Sequence, residues 1–104
     1  MNQEIKTKIE EMINNNRVFL FMKGDKNMPV CGFSKQVVEI LNSLNVEFES
    51  FNVFSDQEIR TSVKEYSAWP TYPQLYFKGQ LIGGCDIITE MFESGELEEL
   101  LKND

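Results

Sequence analysis

The sequence contains no histidine, and this absence excludes several kinds of site. A Cys–His nucleophile, a zinc site with His ligands and a His general base all need an imidazole ring, so this chain alone cannot form any of them. Cysteine is scarce as well, because only Cys31 and Cys85 are present. Two cysteines are too few for a disulfide-rich secreted scaffold, so we expect a reducing compartment and a cytoplasmic protein or a mature organellar form.

Long apolar runs and an excess of basic residues are also missing. No apolar run reaches the roughly 18 residues of a membrane span, and residues 1–12 do not resemble a signal or transit peptide. The formal net charge is −7, from 10 Lys and Arg against 17 Asp and Glu. This charge argues against nucleic acid or an anionic membrane as the main partner. A length of 104 residues predicts a single domain over residues 1–104.

Hydrophobic periodicity predicts alternating helices and strands along the chain. The expected elements are, in order, a helix over 3–14, a buried strand over 18–22, a polar loop over 25–28, a helix from Cys31 to about Asn45, a strand around 47–52, a helix through Ile59 and Tyr66, a hairpin of 75–77 with 80–82, a helix over 87–92 and a short amphipathic end. A βαβ unit followed by a β-hairpin and a helix predicts an α/β three-layer sandwich.

Local signals predict where two of these helices begin. Ser55 and Glu58 have the spacing of a capping box, which would start the third helix. Asp86 follows two glycines and is a good N-cap residue for the helix that comes after it. Lys78-Gly79 between two apolar runs indicates the two-residue turn of the hairpin.

Cys31 lies between an apolar strand and a helix, in the stretch Met28-Pro29-Val30-Cys31-Gly32-Phe33-Ser34. Amide N–H groups and the macrodipole at a helix start favour an anion, so this thiol should have a lowered pKa and act as a nucleophile or metal ligand. The alternative is a small buried apolar residue. The flanking proline and glycine favour a turn instead.

Ser34 occupies the position at which a dithiol oxidoreductase has its second cysteine. A hydroxyl cannot resolve a mixed disulfide, so a thiol from outside the chain must complete a redox cycle or a metal site. The residue six positions after Cys31 is Val37 rather than the Arg that a cysteine-dependent phosphatase would need. An external thiol is therefore expected.

Four motifs together resemble those of a known family. They are Lys23-Gly24, Cys31-Gly32-Phe33-Ser34, Trp69-Pro70-Thr71-Tyr72-Pro73-Gln74 and Gly83-Gly84-Cys85-Asp86. In order and spacing they are similar to the motifs of the monothiol glutaredoxins of the CGFS type, over nearly the whole chain. The resemblance implies a thioredoxin-like sandwich with a four-stranded mixed sheet flanked by helices, and a cis peptide bond before Pro73.

The resemblance also implies a cleft for glutathione, a tripeptide with two carboxylates and one ammonium. Lys23 and Arg60 would meet carboxylates, and the backbone of Tyr72 before Pro73 would pair with the peptide like an added strand. Tyr72 stands where the family more often has Phe, and its hydroxyl leaves that backbone role untouched. Lys23 and Arg60 could instead be ordinary solvated surface charges.

The last of the four motifs, Gly83-Gly84-Cys85-Asp86, would complete this cleft. By the same resemblance Asp86 would bind the ammonium, and the amides of Cys85 and Asp86, next to Gly84, would bind the remaining carboxylate. The ordinary alternatives are a helix cap for Asp86 and a small buried residue for Cys85.

Two functional classes follow. The first is a carrier of a [2Fe-2S] cluster, which needs four thiolates; Cys31 from each subunit of a homodimer and two glutathiones would supply them. The resemblance then implies roles in iron–sulfur cluster assembly and iron homeostasis, with BolA-like proteins and apo iron–sulfur proteins as partners. The second is an oxidoreductase in which Cys31 removes glutathione from protein thiols. An adaptor with a vestigial site is a third alternative.

Overall fold

The structure, a computed structural model, describes residues 1–103, and Asp104, the last residue of the predicted domain, lies outside the described residues. The elements are α1 (Gln3–Asn14), β1 (Val18–Met22), β2 (Gly24–Asp25), β3 (Met28–Pro29), α2 (Gly32–Ser43), β4 (Glu49–Asn52), a 3₁₀ turn (Val53–Ser55), α3 (Gln57–Ser67), β5 (Gln74–Phe77), β6 (Gln80–Gly83), α4 (Cys85–Ser94) and α5 (Glu96–Lys102).

The main sheet has four strands in the order β4-β1-β5-β6. β1 runs parallel to β4 and antiparallel to β5, and β6 pairs with β5 in the predicted hairpin. This arrangement confirms the predicted four-stranded mixed sheet flanked by helices.

The central strand β1 is buried on both faces, as its continuous apolar run predicts. Phe19 and Phe21 belong to an apolar core shared with α1 and α3, whereas Leu20 and Met22 belong to a second core shared with α2, α4 and α5. Successive strand residues point to opposite faces, so one short strand supports both layers of helices. Within residues 1–103, no helix combines the length and apolar character needed to cross a membrane.

The expected cap of α3 is wrong by one residue. Asp56, not Ser55, is the N-cap, and its carboxylate accepts hydrogen bonds from the N–H groups of Glu58 (3.0 Å) and Ile59 (3.1 Å). Ser55 ends the 3₁₀ turn instead, where its hydroxyl donates to the Asn52 carbonyl at 2.6 Å. Because Ser55 belongs to the 3₁₀ turn, α3 begins only at Gln57, after the Asp56 cap.

The expected cap of α4 is also wrong. Gly84 is the N-cap, the helix begins at Cys85, and Asp86 lies in its first turn. The residues expected to form a polar loop contain a small hairpin of β2 and β3, which is closed by the Asp25 carboxylate accepting from the N–H groups of Asn27 and Met28, both at 2.9 Å. The strand expected around 47–52 begins only at Glu49.

Candidate functional site

The thiol of Cys31 lies at the start of α2, as predicted. Cys31 is the N-cap residue, with extended backbone angles of φ −142° and ψ 146°, and its sulfur accepts a hydrogen bond from the N–H of Ser34 at 3.4 Å. The side chain is partly exposed. The thiol is therefore both accessible and placed at the positive end of a helix of 12 residues.

Ser34 is completely buried beneath this thiol. Its hydroxyl oxygen accepts a hydrogen bond from the backbone N–H of Lys23 at 3.1 Å and lies 3.6 Å from the Cys31 sulfur. The bond from Lys23 uses a lone pair of the hydroxyl oxygen and leaves the hydroxyl proton unused. Once the thiol has ionised, this proton can therefore point at the sulfur. Sequence reasoning treated Ser34 only as a missing cysteine, but in the structure it supports the thiolate.

The environment lowers the pKa of Cys31 below its ordinary value. Burial acts in the opposite direction and is the largest single influence, but it is outweighed by hydrogen bonds from the N–H and hydroxyl of Ser34 and from the N–H of Phe33. The positive charge of Lys23 adds to the lowering. Cys31 therefore has the thiolate character expected of a nucleophile or metal ligand.

The second thiol, Cys85, is shifted the other way. Burial raises its pKa, and a hydrogen bond with Thr89 opposes this effect only in part. Negative charge on Asp86 and on Cys31 raises the pKa further. Cys85 is partly exposed at the start of α4, so it is not the fully buried small residue of the alternative interpretation.

A pocket of about 460 Å³ brings together most of the predicted site residues. It is lined by Lys23, Phe33, Trp69, Thr71, Tyr72, Pro73, Gly84, Cys85, Asp86 and Ile87. Neither Arg60 nor Cys31 is among the lining residues. Cys31 lies beside the pocket, close enough for its charge to raise the pKa of Cys85 in the pocket wall. A larger pocket of about 690 Å³, at the start of β4, contains none of the predicted site residues.

Arg60 is linked to the pocket through an aromatic residue that the sequence analysis missed. The ring of Phe54 is half exposed, and the Arg60 guanidinium lies 5.1 Å and the Lys23 ammonium 6.0 Å from its centroid. Cation–π attraction holds both cations at one ring. Phe54 lies in the 3₁₀ turn before α3, where no periodic pattern marks it.

The peptide bond between Tyr72 and Pro73 is cis, as the resemblance implies. The Tyr72 side chain is buried, and its hydroxyl donates to the Arg60 carbonyl at 2.7 Å. Burial raises the pKa of Tyr72, so this hydroxyl stays protonated and able to donate. The hydroxyl for which the sequence indicated no role thus ties the loop to α3.

The backbone of Tyr72 is available to a ligand. Among residues 1–103, neither its N–H nor its carbonyl oxygen has a hydrogen-bond partner. Tyr72 as a whole is buried but lines the pocket, and unpaired backbone groups beside a pocket can pair with an extended peptide. The predicted backbone role of Tyr72 is therefore compatible with the structure.

Trp69 also forms a wall of the pocket and was not among the predicted site residues, although it belongs to a quoted motif. Its indole N–H is buried and is the one buried side-chain polar group within residues 1–103 that lacks a hydrogen-bond partner. A Cβ placed on Gly84 would lie only 3.2 Å from that nitrogen. Glycine at position 84 therefore lets α4 begin close against the Trp69 ring.

The first turn of α4 provides the anionic side of the pocket. Asp86 is exposed, and no side chain caps the N–H groups of this turn. A pocket that contains the Lys23 ammonium, the Asp86 carboxylate and free helix-start amides suits a ligand with both carboxylate and ammonium groups. Among residues 1–103, no group of three or more Cys, Asp or Glu side chains could hold a metal ion, so Cys31 would need ligands from outside the chain.

Comparison with known proteins places these features in a family. The sequence model of glutaredoxin matches residues 18–82. A probable monothiol glutaredoxin 2 of Rickettsia felis is 58% identical over 94 residues, which cover 90% of this chain and 90% of that protein.

Two solved structures are similar to the fold. The solution structure of reduced poplar apo GrxS14 has a TM-score of 0.83 at 50% identity and covers 94% of this chain and 90% of that one. The crystal structure of a buckwheat glutaredoxin–glutathione complex also has a TM-score of 0.83, at 21% identity, covering 97% of this chain and 93% of that one. The motifs around Cys31, the fold and the near relatives agree: this chain belongs to the glutaredoxin family, in its monothiol branch.

Proposed function

We propose that this chain binds glutathione in the pocket beside Cys31 and carries a [2Fe-2S] cluster between two copies of itself. The observation that carries the proposal is the single thiol of lowered pKa, Cys31, beside a pocket lined by side chains of both charge signs. In this proposal Lys23 and Arg60 bind carboxylates, Tyr72 pairs with the peptide backbone, and Gly84, Cys85 and Asp86 hold the remaining polar groups. The glutathione bound to the buckwheat protein supports this choice of ligand.

The residues present fit the cluster. A [2Fe-2S] cluster is held by four thiolates, and each chain has one partly exposed thiol of lowered pKa, Cys31. Cys31 from each chain and the sulfur of two glutathiones would supply the four ligands. When bound, the cluster would be a cargo for transfer to apo iron–sulfur proteins. We further propose a cytoplasmic role in iron–sulfur cluster assembly and iron homeostasis, with BolA-like proteins replacing one subunit.

The lowered pKa of Cys31 also favours a second candidate, removal of glutathione from protein thiols. The Cys31 thiolate would attack the glutathione sulfur of a mixed disulfide, and the protein thiolate would leave and take up a proton. Free glutathione, as thiolate, would then attack the Cys31–glutathione disulfide, which gives oxidised glutathione and regenerates Cys31. Ser34 cannot replace that second thiol, so both candidates depend on glutathione.

Anaerobic purification separates the two candidates. A carrier is expected to be coloured, with equal iron and sulfide, and to lose both when glutathione is removed or in the Cys31→Ser variant. An oxidoreductase is expected to be colourless and to turn over a mixed glutathione disulfide rapidly. Cys85→Ser is the matched control, because it removes the other thiol, keeps the backbone amide that would bind glutathione, and should leave the cluster in place. A cluster bound to a monomer, or kept without glutathione, would contradict the carrier proposal.

A further inference from the structure

Gln74, at the start of β5, is completely buried, and its amide bonds to the segment that leads to the cis proline. Its side-chain nitrogen donates to the carbonyl oxygens of Trp69 (3.1 Å) and Thr71 (3.2 Å). Its side-chain oxygen accepts from the hydroxyl of Tyr76 at 3.0 Å. Because carbonyls only accept, the nitrogen must face the loop, and the orientation of the amide is determined.

These bonds divide the backbone groups of the loop into two sets. The carbonyls of Trp69 and Thr71 are held from inside the protein by Gln74, whereas among residues 1–103 the N–H and carbonyl of Tyr72 have no partner. The backbone of Tyr72 therefore remains available to pair with a peptide ligand at this loop. Tyr72 is in turn held by its hydroxyl on α3, so the loop is fixed at two points.

We infer that Gln74 is a positioning residue for the ligand-binding loop: by holding the carbonyls of Trp69 and Thr71 it fixes the loop in the conformation in which Tyr72 can pair with the peptide backbone of the ligand. The inference rests on the proposed binding of glutathione. It gives a reason for a buried amide at this place, because a polar group without partners is costly in a protein interior and this one uses both of its donors on the loop.

The test compares Gln74→Met with Gln74→Glu and Tyr76→Phe. Methionine has a similar volume but donates no hydrogen bond, and glutamate keeps the shape with no donor when ionised and only one when protonated. Tyr76→Phe leaves both donors to the loop intact. We expect the two Gln74 variants to raise the Kd for glutathione about tenfold, as loss of hydrogen bonds to loop groups predicts, and Tyr76→Phe to change it less than about twofold.

Loop order in the ligand-free protein gives an independent readout. Backbone ¹⁵N order parameters of Trp69, Thr71 and Tyr72 should fall in Gln74→Met. They should stay unchanged in Leu97→Ala, a core variant on the opposite side of the sheet that is destabilised without touching the loop. A general loss of stability would affect both variants alike, so this comparison separates positioning from a merely structural role.

The outcomes distinguish this inference from the proposed function. If the unmodified chain binds no glutathione, the proposed function is wrong, and the order parameters alone decide the role of Gln74. If the chain binds glutathione and Gln74→Met has the same Kd and the same order parameters, the inference is overturned while the proposed function stands.

Discussion

Ser34 is the residue whose contacts most directly set the ionisation of Cys31. We expect Ser34→Ala to raise the pKa of Cys31, because the change removes the hydroxyl that supports the thiolate. The rate of Cys31 alkylation by iodoacetamide, followed against pH by mass spectrometry, should then have its midpoint at higher pH. The alkylation rate at neutral pH should fall accordingly, since only the thiolate reacts.

The lowered pKa of Cys31 also makes the stability of the fold depend on pH. A pKa lowered by folding makes the folded state more stable above the ordinary thiol pKa, and this contribution is lost as pH falls through the folded value. Ser34→Ala should reduce this pH-dependent stabilisation. It should also lower the free energy of unfolding by about 1–2 kcal/mol at all pH values, because the Lys23 N–H loses its acceptor. Ser43→Ala, a hydroxyl on the same helix that bonds only to the Ile40 carbonyl, is the control. Equal alkylation midpoints in the two variants would contradict this role of Ser34.

For single residues, the sequence reveals a functional role when it follows from the chemistry of the side chain, but not when it follows from the contacts that the side chain makes. Cys31 and Lys23 stand out because a thiol before a helix and a cation after a strand have a recognisable chemistry. Phe54 and Gln74 do not, because their roles come from how the chain folds around them. Phe54 lies beside both Lys23 and Arg60, and the amide of Gln74 reaches back past the cis proline to the Trp69 carbonyl. Such pairings depend on tertiary structure, which local patterns do not encode.

Among the secondary-structure elements, the junction between β6 and α4 has little free space at Gly84. A Cβ on Gly84 would lie 3.2 Å from the Trp69 indole nitrogen and 3.3 Å from the Pro73 carbonyl oxygen. We therefore expect Gly84→Ala to lower the free energy of unfolding by about 1–3 kcal/mol, as overpacking typically does. Urea unfolding measures this change.

Gly32 offers a matched glycine at the start of α2. A Cβ there would meet nothing within 4 Å, so Gly32→Ala should stabilise the fold by about 0.4–1 kcal/mol by restricting the unfolded chain. The two substitutions add the same methyl group at the start of two helices, with opposite expected signs. Destabilisation of similar size in both would show that the packing at Gly84 is not the cause.

The element boundaries show where local reasoning fails. The long elements follow from periodicity, and the central strand and hairpin lie where the apolar runs place them. The 3₁₀ turn that uses Ser55 and the small hairpin of β2 and β3 depend on single side chains. Asn52 accepts from the Phe54 N–H in the turn, and Asp25 accepts from the N–H groups of Asn27 and Met28 in the hairpin. Asn52 also accepts from the Gly24 N–H at 3.0 Å, a contact 28 residues away in sequence that no local pattern predicts.

For the molecule as a whole, exposed apolar surface is concentrated around the thiol. Met28, Val30 and Phe33 are 71%, 57% and 64% exposed and lie within three residues of Cys31. They are three of the six large apolar side chains exposed within residues 1–103. Apolar side chains around a reactive group are typical of a surface that becomes buried against a partner.

The proposed cluster-bridged dimer would cover this apolar surface, and charge placed there tests that arrangement. Val30→Lys should weaken the anaerobic holo dimer about tenfold or more, because it puts a charge into a desolvated contact. The apo protein should keep its stability, because the side chain is exposed there. Thr7→Lys adds the same charge on the exposed surface of α1 and should leave the dimer unchanged. Sedimentation of the two holo variants decides: if they dimerise equally, the surface around Cys31 is not the subunit contact, and the exposed side chains must serve another partner.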